Sequence, residues 1–396
     1  MSADKIRVLY AGIVLGPWGG GEPVVARQTI EALSRDPKFA VFKEYYKPRI
    51  KPIFDFLISE YRRTIGTSDS FKLAESFYLS KIREHSPDVI ITQYDYDLSS
   101  VSAATKAGKR AIVYVHAWWT VCPNNTRMHN GEVCEGFPGQ DCKSCIISSL
   151  RGEGKVKAYK HLFGLLSNNV IHKKMKRRIS ILNRENVFVV TLTEKMRRLM
   201  IDMGVMEDKI YVVPNGVDCS HFKPSKKEKI VLYLGGYNPV KGYSIFFDIA
   251  KQLRGEGKFI ATGNYPEFEK VSHVEFPGPL PRDELSSLLG TGRVTLIPSI
   301  WDEPFSMVAI ESLASGTPVV AFDTGCLRNI IRDGKTGFIV GKNDVESMKE
   351  KTETLLEEDD LFQEMSVNAR EDACTRFKLC GQMEAIKGIV EKIARS

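Results

Sequence analysis

Two glutamates, Glu303 and Glu311, bracket seven residues in the stretch IWDEPFSMVAIESLASGTPVVAF, residues 300–322. Pro304 is expected in the first turn of a helix, where its missing N–H goes unmissed. That start would leave the amides of Phe305, Ser306, Met307 and Val308 unpaired, and such an end attracts phosphate. Glu311 then follows roughly 9–10 Å along the axis at about 1.5 Å per residue. A diphosphate and the far hydroxyls of its ribose stand about that far apart. Met307, Val308 and Ala314 set Glu311 on an apolar stripe, so its carboxylate needs partners. Two ribose hydroxyls would serve, and so would a buried arginine. Glu303 lies either near whatever hangs from the other end of the diphosphate or only against the helix dipole.

Other residues could share that chemistry. Lys241, just before Gly242 and after the apolar run IVLYLGG, could neutralise charge on a departing phosphate or be a solvated loop lysine. Gly19, Gly20 and Gly21 follow the first apolar run and would let a backbone approach a phosphate closely, although they do not spell G-x-G-x-x-G. His116 ends the run AIVYVHAWW, where a histidine is either structural or placed to position a substrate. Cys122, Cys134, Cys142 and Cys145 are separated by 11, 7 and 2 residues. Clustered thiols of this kind point to a tetrahedral structural zinc, with disulfides or unligated thiols as the alternatives. Cys219, Cys326, Cys374 and Cys380 are scattered and read as core or surface thiols.

The elements that must carry these residues alternate. Strand-like runs (KIRVLYAGIVL, PDVIITQYDY, KRAIVYVHAWW, VFVVT, KIYVV) are separated by helical patterns, and after the polar break KPSKKEK a second alternating series begins at IVLYLGG. Such alternation implies parallel sheets covered on both faces, and two series in 396 residues imply two doubly wound domains. In open parallel sheets ligands bind beyond the carboxyl ends of the strands. The glycine-rich turn, His116, Lys241 and the Glu303 loop all fall there.

The stretch PSIWDEPFSMVAIESLASGTPVVAFDTGCLRNIIRDGKTGFIV resembles the nucleotide-sugar signature of the retaining glycosyltransferases of family 4. VVPNGVDCSHFKP, the pair Lys241–Gly242, PGPLPRDEL and the N-terminal GGGE extend the resemblance over most of the chain in order. It implies the GT-B fold, two Rossmann-like domains facing across a cleft: an acceptor-side domain over 1–222 and a donor-binding domain over 226–378, with the final helix, about 379–396, returning to the first. It implies transfer of a sugar from a UDP-, GDP- or ADP-sugar to a glycan or lipid-linked acceptor, with retained anomeric configuration and no catalytic metal. Glu303 would contact the sugar, Glu311 the ribose, and the amides of Ser306, Met307 and Val308 the diphosphate. Lys241 would meet the leaving group, His116 would position the sugar, and Gly20 and Gly21 would line the substrate cleft. The chain departs from the family at Gly236, where an arginine is usual; Arg328 and Arg127 are the expected stand-ins. Asn329 also departs, in place of a common glutamate, and nothing in the sequence interprets it. Two rival functions stay open: a catalytically silent nucleotide-sugar-binding protein, and a dinucleotide-dependent dehydrogenase resting on fold analogy.

Charge adds one more expectation. Residues 151–184 hold ten Lys or Arg against one acid, Glu153, interleaved with apolar residues. Such a segment fits an anionic membrane surface or an ordinary solvated helix face, and nucleic acid poorly, since no recognition module accompanies it. With no run near the roughly 18 apolar residues of a membrane span and no leader-like start, the expected location is cytoplasmic, with peripheral attachment to the inner membrane face left as an alternative to an unattached protein.

Overall fold

The computed structural model describes residues 5–12, 21–46, 68–93, 95, 97–129, 131–134, 141–149, 167–267 and 271–396. Its contacts divide it into two units, 1–213 with 383–396 and 214–382. The helix Leu379–Arg395 is counted with the first unit from Met383 onward, where Lys387 pairs with Asp36 at 3.0 Å and Glu391 with Lys38 at 2.9 Å.

The first unit contains β1 (Ile6–Gly12), β2 (Phe39–Tyr45), β3 (Val89–Thr92), β4 (Arg110–Val115), a short hairpin of β5 (Met128–His129) with β6 (Glu132–Val133), then β7 (Val187–Thr191) and β8 (Ile210–Val212). Its parallel sheet runs β2-β1-β3-β4-β7-β8. Val8, Leu9, Val89, Val113, Val187 and Val189 are buried, as expected for strands covered on both faces.

The second unit contains β9 (Ile230–Tyr233), β10 (Lys258–Thr262), β11 (Val274–Gly278), β12 (Val294–Ile297), β13 (Val319–Phe322) and β14 (Gly337–Val340), in the sheet order β11-β10-β9-β12-β13-β14. Every pair is parallel. This is the doubly wound order whose direction of winding reverses between its first and fourth strands. The core packs Phe246 and Phe247 of the helix Tyr243–Gln252 against Val231, Phe259 and Leu296 of the sheet. Each such side chain contributes about 1.5–3 kcal/mol by leaving water.

Cys219 and Cys374, expected as core or surface thiols, are not thiols here. They form a disulfide across 155 residues of sequence, with Cα atoms 5.9 Å apart. The helix Asp359–Arg376 returns Cys374 to the start of the unit, a long-range contact that local pattern does not encode. A reducing cytoplasm would keep such a pair as two thiols. Cys326 and Cys380 are free.

Candidate nucleotide-sugar site

The winding of the second sheet reverses between β9 and β12, which pair at Val231↔Val294 and Leu232↔Thr295. Because the two strands are parallel, their carboxyl ends coincide, and the loops leaving them meet. Ile300 donates its amide to the Val240 carbonyl at 3.0 Å, joining those loops. Gly242 has φ 78°, and a Cβ there would stand 2.0 Å from the Pro298 carbonyl oxygen. A glycine is needed for the approach.

The approach brings Lys241 to Glu303. The ammonium donates to both carboxylate oxygens, at 2.7 and 2.8 Å, and lies 4.5 Å from the centre of the Trp301 ring. The Trp301 indole N–H donates to the same carboxylate at 2.6 Å. Glu303 is buried while Lys241 is 27% exposed, so the pair has one face open to a ligand. The loop after β13 closes the other side. Cys326 donates its amide to the Glu303 carbonyl at 2.9 Å, and Gly325 at φ 61° packs flat on the Glu303 backbone.

The helix that follows is Met307–Ala314, three residues later than a start at Pro304 implies. Ser306 is its N-cap: the hydroxyl accepts the Ala309 amide at 3.2 Å, and a serine cap defines the start better than Pro304 does. The capping satisfies one amide of the first turn and leaves those of Met307 and Val308 without a partner inside the helix. Both residues are partly exposed. The later start shortens the rise from Met307 to Glu311 to about 6 Å.

Glu311 is 5% exposed, and its partner is Arg282, whose Nη1 donates to Oε1 at 3.0 Å. Burial pushes its carboxyl above the ordinary carboxylate range, and Arg282 opposes that shift. The arginine alternative for Glu311 is thus occupied in this state. Arg282 lies over the Phe222 ring at 4.8 Å, and its Nη2 is buried without a hydrogen-bond partner. It is the cation brought to the Glu311 carboxylate. Of the two expected stand-ins for the missing arginine, Arg328 is on the surface in a two-point pair with Asp323, and Arg127 belongs to the first unit, buried over Trp118. Gly236 itself has φ 65° with open space where a side chain would go.

In the first unit His116 follows β4, buried and stacked on Tyr114 with ring centres 4.6 Å apart. Neither ring nitrogen has a hydrogen-bond partner. Burial lowers its pKa from 6.5 to about 3, so the ring is neutral at ordinary pH. The unfolded chain binds a proton in that interval and the folded chain does not, so stability is lost as pH falls from about 6.5 toward 3. We expect His116→Phe to flatten the stability–pH slope between pH 7 and 4.5 in urea unfolding; equal slopes would refute the assignment. Gly21 opens the helix Gly21–Arg35, while Gly19 and Gly20 lie outside the described residues.

The basic stretch is described from Ser167, and residues 151–166 fall outside the description. Its helix Asn168–Leu182 does not expose every cation expected of it. Arg178 is buried and donates to the Trp119 carbonyl at 2.7 Å, and Lys174 pairs with Asp97 at 2.9 Å. Lys173, Lys176 and Arg177 remain on the surface. No described helix is long and apolar enough to cross a membrane.

Sequence pattern missed Trp301 and Arg282, the partners of the two glutamates. Trp301 could have been weighed as an indole donor two residues before Glu303. Arg282 is 29 residues from Glu311, and no spacing rule signals that pair.

With that geometry in place, comparison with known proteins is specific. Residues 220–372 match the family model for glycosyl transferases group 1, and residues 30–221 match that for glycosyltransferase family 4. The two matches abut and make residues 30–372 similar to glycosyltransferases of the group 1 and family 4 type. Among curated relatives, an uncharacterised glycosyltransferase of Methanocaldococcus jannaschii is 29% identical over 42% of this chain and 49% of its own. A D-inositol 3-phosphate glycosyltransferase of Acidothermus cellulolyticus is 30% identical over 39% of this chain and 42% of its own. A phosphatidyl-myo-inositol mannosyltransferase of Mycobacterium leprae is 27% identical over 46% and 54%. The chain thus spans about half the length of the curated relatives it matches. Among solved structures, Anabaena HepE in complex with UDP matches with TM-score 0.68 at 16% identity, over 98% of this chain and 100% of its own. A Rickettsia africae glycosyltransferase matches at 0.69 and 16%, over 99% of each chain. At such identity these structures show the fold, GT-B.

Proposed function

We propose that this protein transfers a sugar from a nucleotide-diphosphate-sugar to an acceptor hydroxyl with retention of configuration. The observation that carries the proposal is the Lys241–Glu303 pair, set where the second sheet reverses and beside the open amides of Met307 and Val308. An arriving diphosphate takes the Lys241 ammonium and those amides, with the Ser306 amide beside them. Glu303 is then released to accept hydrogen bonds from the sugar. Glu311, steadied by Arg282, accepts them from the ribose. The acceptor oxygen bonds to the anomeric carbon on the face the diphosphate leaves. The carbon–oxygen bond to phosphate breaks with its electron pair going to the nucleoside diphosphate, and the acceptor proton passes to the departing phosphate. Lys241 and the amides stabilise the charge gathering there, in place of a divalent metal.

In this proposal the second unit takes the donor, and the first takes the acceptor with Gly20, Gly21 and His116 as positioning residues. A buried neutral imidazole with two free nitrogens suits hydroxyl recognition better than proton abstraction. HepE is described in complex with UDP-glucose, which supports a UDP-sugar first among the UDP-, GDP- and ADP-sugars. A relative that mannosylates phosphatidyl-myo-inositol supports a glycan or lipid-linked acceptor. Lys173, Lys176 and Arg177 would add a modest attraction to an anionic membrane face, about 1 kcal/mol each at most. The test is a thermal-shift screen of the three donor classes followed by analysis of the product. We expect one class to raise Tm and to be turned over with nucleoside diphosphate released and the anomeric configuration kept; an inverted product, or stabilisation by none of them, would contradict the proposal.

A further inference from the structure

Cys122, Cys134, Cys142 and Cys145 are unbridged and border one small cavity of the first unit. They reach it from three separate pieces of backbone. Cys122 leads a tight turn in which Asn125 and Arg127 hold φ 59° and 51°. Left-handed geometry costs a non-glycine residue about 1–3 kcal/mol and persists where the surroundings compensate it. Here the turn aims the backbone amides of Asn124, Thr126 and Arg127 at the Cys122 sulfur. Cys134 follows the β5–β6 hairpin and is tied back to the turn, its amide donating to the Arg127 carbonyl at 2.7 Å and its carbonyl accepting from the Arg127 guanidinium at 2.9 Å. Cys142 and Cys145 occupy the first turn of the helix Cys142–Ser149, whose start is capped by Asp141 accepting the Ser144 amide at 3.1 Å. Three residues apart, they share one face of that helix. The Asn124 side-chain amide donates to the Cys145 sulfur at 3.5 Å.

We propose that these four cysteines close around a structural zinc ion. Four sulfurs with no oxygen or nitrogen ligand among them make a closed tetrahedral site with no position left for a reacting water, the pattern of a structural metal. In such a site the sulfurs stand about 3.8 Å apart, from zinc–sulfur bonds of about 2.3 Å. Here no three of these sulfurs lie within 4.8 Å of one another. Among the described residues the trio of ligand atoms already within 4.8 Å of one another is Glu44, Glu84 and His85. Lys81 pairs there with Glu84 at 2.8 Å and Glu44 at 3.4 Å, which makes that trio part of an ion-pair network. Binding at the cysteines therefore draws the turn, the hairpin and the helix start together and releases the thiol protons. A hairpin of two-residue strands cannot hold itself, so the metal supplies what this segment lacks. Its effect reaches the residues just after His116, because Arg127 stacks on Trp118 at 5.0 Å. The site stands apart from the transfer reaction and does not depend on it.

Elemental analysis of the full chain, purified without chelator, is expected to find about one equivalent of zinc, with Cys142→Ser and Cys145→Ser each below about half. The chelated chain titrated with Co2+ should develop the intense sulfur-to-metal charge-transfer absorption of tetrahedral thiolate ligation, and should regain a Tm lost on chelation. A folded parent with less than half an equivalent of zinc and no such absorption overturns the proposal, as does mass spectrometry showing these cysteines paired as disulfides. The Co2+ titration uses the parent sequence, so it decides the matter even if the serine variants fail to fold.

Discussion

Replacing Lys241 with alanine is expected to lower the rate of sugar transfer by about 10²–10³-fold, the usual loss when one preorganised stabiliser of developing charge is removed. The fall should appear chiefly in kcat, because the ammonium meets more negative charge on the departing diphosphate than on the bound donor. The structure gives the substitution a second consequence. Lys241 is the cation that compensates the buried Glu303 carboxylate, at 2.7 and 2.8 Å. Without it Glu303 keeps the Trp301 indole as donor but is left without that neighbouring charge. Lys241→Arg keeps the charge on a longer, planar head and should recover part of the rate. Steady-state kinetics on the three proteins, with the donor found by the thermal screen, checks this. A Lys241→Ala protein that raises KM with kcat unchanged would move the lysine from catalysis to simple binding.

Gly325→Ala is expected to cost about 2–4 kcal/mol, combining strain at a left-handed position with displacement of packed backbone. The new Cβ would stand 2.1–2.6 Å from the backbone of Glu303, and φ is 61°. Backbone cannot rotate away as a side chain can, so the Glu303 loop must move and donor binding should weaken along with stability. Gly236→Ala is the matched control. It has a similar φ of 65° but nothing within 4 Å of its Cβ, so its cost should be about 1 kcal/mol. Thermal melts should separate the two by several degrees, at roughly 2–4 °C per kcal/mol for a unit of this size. Equal shifts would mean that the contact with Glu303 is not tight.

The alternation of apolar runs with helical patterns was enough to expect two doubly wound parallel sheets, because strands buried on both faces leave a continuous apolar signature. Lys241 and Glu303 were identifiable for the same reason: once both follow strands of one open parallel sheet, the sheet brings them to one edge. The position of the helix start was less visible, since Pro304 and Ser306 both carry start signals and capping by the Ser306 hydroxyl decided it. Pairings across long sequence separations were not visible at all. Cys219 with Cys374 and Arg282 with Glu311 are made by the return of helices that have no local reason to meet. Arg178 illustrates a related loss. In sequence it joins a run of surface cations, yet helical periodicity turns it inward onto the Trp119 carbonyl.

The measurement closest to the centre of the account is calorimetric titration of the parent and of Glu311→Ala with the stabilising nucleotide-sugar, both proteins first shown to be folded by circular dichroism. If the helix Met307–Ala314 grips a nucleoside diphosphate by its amides and holds the ribose on Glu311, the variant should bind about 30–150-fold more weakly, the equivalent of about 2–3 kcal/mol of hydrogen bonding to a charged group. Equal affinity in the two proteins would contradict it, and so would a parent that binds none of the three donor classes.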